Sequence, residues 1–289
     1  MSFLGMKLKI AIQKQGKLAD GSVRLLQKCG ITFSNGYGKL RAEAAGFPLE
    51  IYFLRDDDIP DYVADGVADI GIIGENVLAE QPKQVETIKK LGFGTCRLSL
   101  AVPKASGIKS LESFTGKRIA TSYPRVLSAF LQRKSISAEV HEVNGSVEIA
   151  PSVGLADAVC DLVSSGNTLF SNGLREAHVV MNSEAVLIAR KDLTGVKARL
   201  FKQILFRISS VRAAEQNKYI LLNAPLTSVP AISRLLPGMR SPTVVPLAES
   251  GWVSIQSVIS EHEFWEACDE LKKAGAEGIL IVSIDQMIV

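Results

Sequence analysis

The chain has 289 residues, 47% hydrophobic and 22% charged, which excludes a disordered polymer and leaves room for two or three units with cores of their own. A formal charge of +3, with Lys and Arg scattered along the chain, provides no basic stretch of the kind nucleic acid requires. Cys29, Cys96, Cys160 and Cys268 form no CxxC pair and have no His at metal spacing, so reduced thiols are expected, with neither a disulfide framework nor a zinc site. Residues 1–9 lack the charged start and long apolar core of a signal peptide, and no run reaches the length of a membrane span. The expectation is a cytoplasmic protein with no membrane partner.

Leu8–Ile12 reads as a buried strand, followed by Lys14, Gly16 and Lys17 in the turn at its carboxyl end, where open α/β sheets bind ligands. That turn serves equally as a phosphate loop or as an ordinary strand-to-helix connection. Leu49–Leu54 is the next strand and runs into Arg55-Asp-Asp-Asp58, with Asp58 read as an N-cap and Pro60 in the first helical turn. Residues 59–67 have helical spacing, and residues 68–76 give a short strand ending on Gly74-Glu75-Asn76. Gly71 and Gly74 do not make the GxGxxG order, which argues against a dinucleotide-binding dehydrogenase. Thr95–Pro103, containing Arg97, is an alternating strand that marks the crossover into a second α/β unit. Arg118–Pro124 repeats the pattern, with Thr121 or Ser122 read as the cap of a helix over 124–134 whose N–H groups form a possible anion site. Glu139–Val143 is a further strand.

Residues 159–163 form an apolar run with one acid, Asp161, and stop at Ser164-Ser-Gly-Asn-Thr168. Taken alone, such a loop is either a polar turn or a nest of N–H groups and hydroxyls shaped for phosphate, with a helix starting near Thr168 to reinforce it. Asp161 repels phosphate, so a sugar hydroxyl is its natural partner, and the pair of features suggests a ribose 5-phosphate. The longer pattern of Glu148, Gly154, Ala156, Val159, Asp161-Leu162 and Ser165-Gly-Asn-Thr-Leu169 resembles the signature of ATP phosphoribosyltransferase, the first enzyme of histidine biosynthesis. The resemblance extends over nearly the whole chain. One departure is Lys17, where the family usually has Arg; lysine keeps the charge and loses the planar fork.

Glu176–Met181 and Ala185–Arg190 read as two strands returning the chain to the first unit, giving a two-unit cleft like that of type II periplasmic binding proteins. A helix over 195–216 then leads to strand 218–223, helix 229–236, strands 243–247 and 253–259, helix 261–274 and strand 278–283, the βαββαβ order of a ferredoxin-like unit. The expected division is 1–94 with 178–211, 95–177 carrying the phosphate loop, and 212–289. His141, His178 and His262 are isolated and read as surface or structural residues, while Trp252 and Trp265 read as packing residues.

The resemblance implies a glycosyltransferase that moves the 5-phosphoribosyl group from phosphoribosyl pyrophosphate to N1 of ATP, with Mg²⁺ carried by the pyrophosphate. It implies that Asp161, Leu162, Val163, Ser164, Ser165, Gly166, Asn167 and Thr168 hold the phosphoribosyl donor and that Glu148 acts with Asp161 at the ribose. Lys14, Lys17, Arg55, Glu75 and Arg97 are the candidates for ATP or pyrophosphate. It further implies a C-terminal regulatory unit of the long form that binds histidine as feedback inhibitor near Met239, Ser241, Thr243, Val258 and Gly278, and a dimer and hexamer. The rival readings are a cytosolic solute-binding or sensor protein with the same cleft and no turnover, and a phosphoribosyltransferase acting on another base.

Overall fold

The computed structural model describes residues 6–34 and 39–288; residues 1–5, on which the reading of no signal peptide partly rests, lie outside them. In chain order the first elements are β1 (Leu8–Gln13), α1 (Lys17–Lys28), β2 (Arg41–Glu43), β3 (Leu49–Leu54), α2 (Ile59–Ala64), β4 (Ile70–Gly74), α3 (Glu75–Glu80) and β5 (Glu86–Lys90). Then come β6 (Cys96–Pro103), β7 (Arg118–Thr121), α4 (Pro124–Arg133), β8 (Glu139–Glu142), β9 (Ala158–Val163), α5 (Asn167–Ser171), β10 (Leu174–Ser183) and β11 (Ala185–Ala189). The rest is α6 (Gly195–Glu215), β12 (Asn217–Pro225), α7 (Val229–Leu235), β13 (Thr243–Pro246), β14 (Trp252–Ser260), α8 (Glu261–Lys273) and β15 (Glu277–Ser283). These elements make two compact units, Met1–Arg24 with Gly30–Leu200, and Leu25–Cys29 with Phe201–Val289.

The larger unit has two lobes, one per sheet. The first sheet has the order β2-β3-β1-β4-β11-β5, with β1 parallel to β3 and β4. Of its central strands, β4 is apolar and fully buried, and β1 is buried except at Lys9 and Gln13, as parallel strands covered by helices tend to be. Asp69 is an acid sealed into this region; it is fully buried and accepts from the Lys9 N–H at 2.9 Å and Lys197 Nζ at 2.8 Å, which offsets the cost of desolvating its charge. The second sheet has the order β10-β6-β9-β7-β8, with β7 parallel to β8 and β9. Strand β10 pairs with β6 in this second sheet, so the chain returns to the first lobe only at β11 and not at Glu176–Met181 as the sequence suggested. Alternation could not decide this, because a strand's partner depends on a neighbour nearly eighty residues away.

The smaller unit carries a four-stranded antiparallel sheet of order β13-β14-β12-β15 with α7 and α8 packed on one face, the ferredoxin-like arrangement expected from element order. Strand β14 alternates between buried and half-buried residues along its whole length, so one face of the sheet meets the helices. A capping box starts α8: Ser260 Oγ accepts from the Glu263 N–H at 3.2 Å, and the Glu263 carboxylate reaches back to the Ser260 N–H. Trp265 is 67% exposed and not a packing residue, because it sits one position past buried Phe264 and the helical rotation turns it outward. Among the described residues no helix is long and apolar enough to cross a membrane.

Candidate active site

The loop after β9 is held between two buried apolar residues, Val163 and Leu169, while Ser164, Ser165, Asn167 and Thr168 are exposed. Gly166 sits at φ +82°, a backbone conformation that L side chains rarely adopt, and it occupies the N-cap of α5 without offering a side chain to it. The first-turn N–H groups of α5 therefore have no side-chain cap and join the hydroxyls on one rim. Val147 plugs into the same apolar cluster as Val159, Val163 and Leu169, which brings the turn bearing Glu148 against the strand bearing Asp161. Asp161 is held by the Leu162 N–H at 2.7 Å. Burial raises its carboxyl above the ordinary aspartate range, that hydrogen bond opposes the shift, and the negative charge of Glu148 adds to it.

The carboxyl ends of β1, β3 and β4 face this loop from the other lobe. Lys14 and Lys17 are exposed there, and Lys17 Nζ lies 3.5 Å from Ser164 Oγ, so the turn after β1 and the turn after β9 meet. Arg55 is exposed ahead of the short turn Asp56–Asp58, and Asp58 precedes α2 without making a side-chain cap. Asp56 and Asp57 instead line a cleft of about 560 Å³ with Glu80, Ser122, Tyr123, Pro124, Glu142 and Asn144 from both lobes. Burial, followed by the neighbouring charges of Asp56 and Asp58, pushes the Asp57 carboxyl up. Glu75 is paired with Lys90 at 2.9 Å, and Arg97 forms a two-pronged pair with Glu176, with both contacts at 2.5 Å. The five ATP or pyrophosphate candidates thus fall into three solvent-facing cations, Lys14, Lys17 and Arg55, and two groups held in ion pairs, Glu75 and Arg97.

The helix α4 does not offer an anion site. Both oxygens of Glu80 accept from its first turn, from the Arg125 N–H at 2.8 Å and the Val126 N–H at 2.9 Å. Nor do Thr121 and Ser122 cap it by side chain to its first turn: Thr121 Oγ1 accepts from the Tyr123 N–H and Ser122 Oγ donates to the Val143 carbonyl. Beside Glu80, Asn76 is buried and donates to Tyr123 Oη at 3.0 Å, while its own carbonyl accepts from Ser183 Oγ at 2.8 Å. Sequence reading missed Glu80, Tyr123, Ser183 and Glu176 as site-forming residues; a lone Glu at a helix end carries no local sign that it caps another helix.

In the smaller unit Met239 and Val258 line one cavity of about 410 Å³ with Asn217, Arg234 and Glu263. Ser241 is exposed in the adjoining turn. Thr243 and Gly278 lie on β13 and β15, the two opposite edges of the sheet, so the structure gathers part of the expected histidine set and separates the rest.

Two lobes whose parallel strands end on one cleft, one offering a hydroxyl loop beside two carboxylates and the other a pair of lysines, define a two-lobed α/β protein with its ligand cleft between the lobes. The chain belongs to the ATP phosphoribosyltransferase family and is a pentosyltransferase of the histidine pathway. The family model described as ATP phosphoribosyltransferase matches residues 55–210, and that described as HisG, C-terminal domain, matches residues 214–286. An ATP phosphoribosyltransferase from Cytophaga hutchinsonii is 55% identical over 97% of this chain and 98% of its own, and one from Parabacteroides distasonis is 52% identical over 98% and 100%. Among solved structures, a chain of the ATP phosphoribosyl transferase (HisG:HisZ) complex from Thermotoga maritima is 28% identical with a TM-score of 0.60, covering 70% of this chain and 96% of that one. A histidine kinase sensor domain with similarity to periplasmic binding proteins, at 10% identity and a TM-score of 0.50 over 73% of this chain and 92% of its own, shares the fold alone. The fold class is therefore periplasmic-binding-protein-like with a C-terminal accessory unit, and the sensor reading falls to the family match.

Proposed function

We propose that the chain transfers the 5-phosphoribosyl group of phosphoribosyl pyrophosphate to N1 of the adenine of ATP and releases pyrophosphate, as the first step of histidine formation. The observation that carries this reading is the meeting of the Lys17 turn with the Ser164 loop, which puts the Lys17 ammonium at the rim of that hydroxyl loop. In this reading residues 164–168 hold the 5-phosphate, and Asp161 and Glu148 accept from the ribose hydroxyls. Adenine N1 is already a nucleophile, so no side chain has to activate it. The barrier lies in breaking the C1–O bond, which leaves positive character on the ribose ring and negative charge on the departing pyrophosphate. Glu148 and Asp161 oppose the first charge, and Lys14, Lys17 and Arg55 oppose the second; alignment of N1, C1 and the leaving oxygen supplies the remainder.

Mg²⁺ accompanies the pyrophosphate, whose oxygens and water supply most of its ligands, and when bound it would neutralise charge on the leaving group. Among the described residues no three His, Cys, Asp or Glu side chains form a cluster that could hold a metal, so no step is assigned to a protein-held cation. The smaller unit is regulatory in this reading: histidine binds near Met239 and Val258, and inhibits because it binds one arrangement of the chain better than another. The exposed apolar residues Leu280, Ile281 and Val282 on edge strand β15 support self-association into dimers and hexamers. The experiment is ultraviolet absorbance on mixing the protein with ATP, phosphoribosyl pyrophosphate, Mg²⁺ and pyrophosphatase, with and without histidine. Turnover suppressed by histidine supports both halves of the proposal; turnover with free adenine in place of ATP, or none at all, overturns it.

A further inference from the structure

Arg97 follows the first residue of β6, opposite Val163, and Ser99 lies opposite Asp161. Its guanidinium is not left to the solvent. Nε donates to Glu176 Oε1 and Nη2 to Oε2, both at 2.5 Å, and Ser99 Oγ donates to the same Oε1 at 2.7 Å. Ser99 is fully buried, whereas the Arg97 and Glu176 side chains are 34% and 28% exposed. Glu176 pairs with Ala101, four residues along β6 from Arg97, so the arginine has to fold back along its own strand, over Ser99, to reach it. Strand β10 is bulged between Glu176 and His178, the kind of irregularity that re-aims a side chain at a site. The fork uses Nε and Nη2, which leaves the N–H groups at the far end of the guanidinium unclaimed by the carboxylate.

We propose that Glu176, seated on buried Ser99, is a positioning residue that fixes Arg97 so that the free end of its guanidinium is presented to the phosphates of the phosphoribosyl donor beside Asp161 and the 164–168 loop. This rests on the proposed function. An unheld arginine samples many rotamers and loses entropy on meeting its anion, whereas a pre-set fork binds without that cost. Glu176 touches no reacting atom; it acts through Arg97. A purely structural pair would lower stability without discriminating between the two substrates.

The test is a double-mutant cycle on the full chain with Glu176→Gln, Arg97→Ala and the double variant, and Arg97→Lys as a second probe of the fork. Initial rates are taken against each substrate, and the far-ultraviolet spectrum and a cooperative thermal melt establish that each variant is folded. The expected result is a fall of about tenfold or more in kcat/KM for the donor in both single variants and in Arg97→Lys, no further fall in the double, and an unchanged KM for ATP. Guanidinium ion added to the assay should restore Arg97→Ala, where Glu176 can still hold it, and should leave the double variant unrestored. Multiplicative single effects, equal restoration of Arg97→Ala and the double, or a Glu176→Gln enzyme within twofold of the parent would each overturn the positioning role. An unsubstituted chain that transfers no phosphoribosyl group overturns the proposed function as well, and the same assay reports it first.

Discussion

Lys17 Nζ stands 3.5 Å from Ser164 Oγ although 147 residues separate them in the chain. The contact joins the turn after β1 to the loop after β9, one from each lobe. Removing the ammonium with Lys17→Ala should lower kcat/KM by about tenfold to a hundredfold, because a cation preorganised at the phosphates of the donor stabilises the transition state. Lys17 is exposed, so the melting temperature should hardly move. Steady-state kinetics with both substrates measures the first, and a thermal melt the second. A variant as active as the parent would remove Lys17 from the site.

Asp161 should trade stability for function. Its carboxyl is raised by burial, with the Glu148 charge adding, above the ordinary 3.8. Below that pH the folded and unfolded chains both hold the proton, and the contribution to stability is complete. As pH rises through the raised folded value the unfolded chain ionises more readily, and that contribution is lost. Asp161→Asn should therefore melt higher than the parent at neutral pH, with the difference shrinking towards pH 3.8. Activity should fall by roughly a hundredfold or more. Melting curves between pH 3 and 8 read the trend; a difference that stays constant across the range would mean Asp161 titrates alike in both states.

Glu80 caps a helix of the opposite lobe, with both oxygens on the N–H groups of Arg125 and Val126. Glu80→Ala should cost roughly 0.5–2 kcal/mol, the ordinary range for losing a cap, or a drop of about 2–6 °C in melting temperature. Amide exchange at Arg125 and Val126 should quicken specifically. Unchanged exchange at those two amides would show that the cap contributes nothing in solution.

Gly238 tests the regulatory unit. It has φ +60°, and an added Cβ would stand 2.7 Å from Ser257 Oγ. Gly238→Ala should distort the turn that carries Met239 and raise the histidine concentration needed for half-inhibition by about tenfold or more, while turnover without histidine stays at the parent level. Inhibition curves decide it, and an unaltered curve would move the histidine site elsewhere.

Much of this protein was legible in one dimension. Hydrophobic period, turn residues and capping pairs are local, so they mark α4, α6 and α8, the strands of the smaller unit and its βαββαβ order directly. The 148–169 pattern is equally local: the acids, the glycine and the hydroxyls that form the cradle lie within one turn, one strand and one loop. What only the tertiary structure decided is who holds whom. Glu176 takes Arg97 across 79 residues, Glu80 fills the first turn of α4 across 45, and β10 joins the second sheet through pairing with β6. Each of those partners is an ordinary charge or an ordinary strand until packing brings the other into reach. Hydrogen bonds and ion pairs act over a few ångströms of space and take no account of chain separation, so these assignments could be made only after the fold.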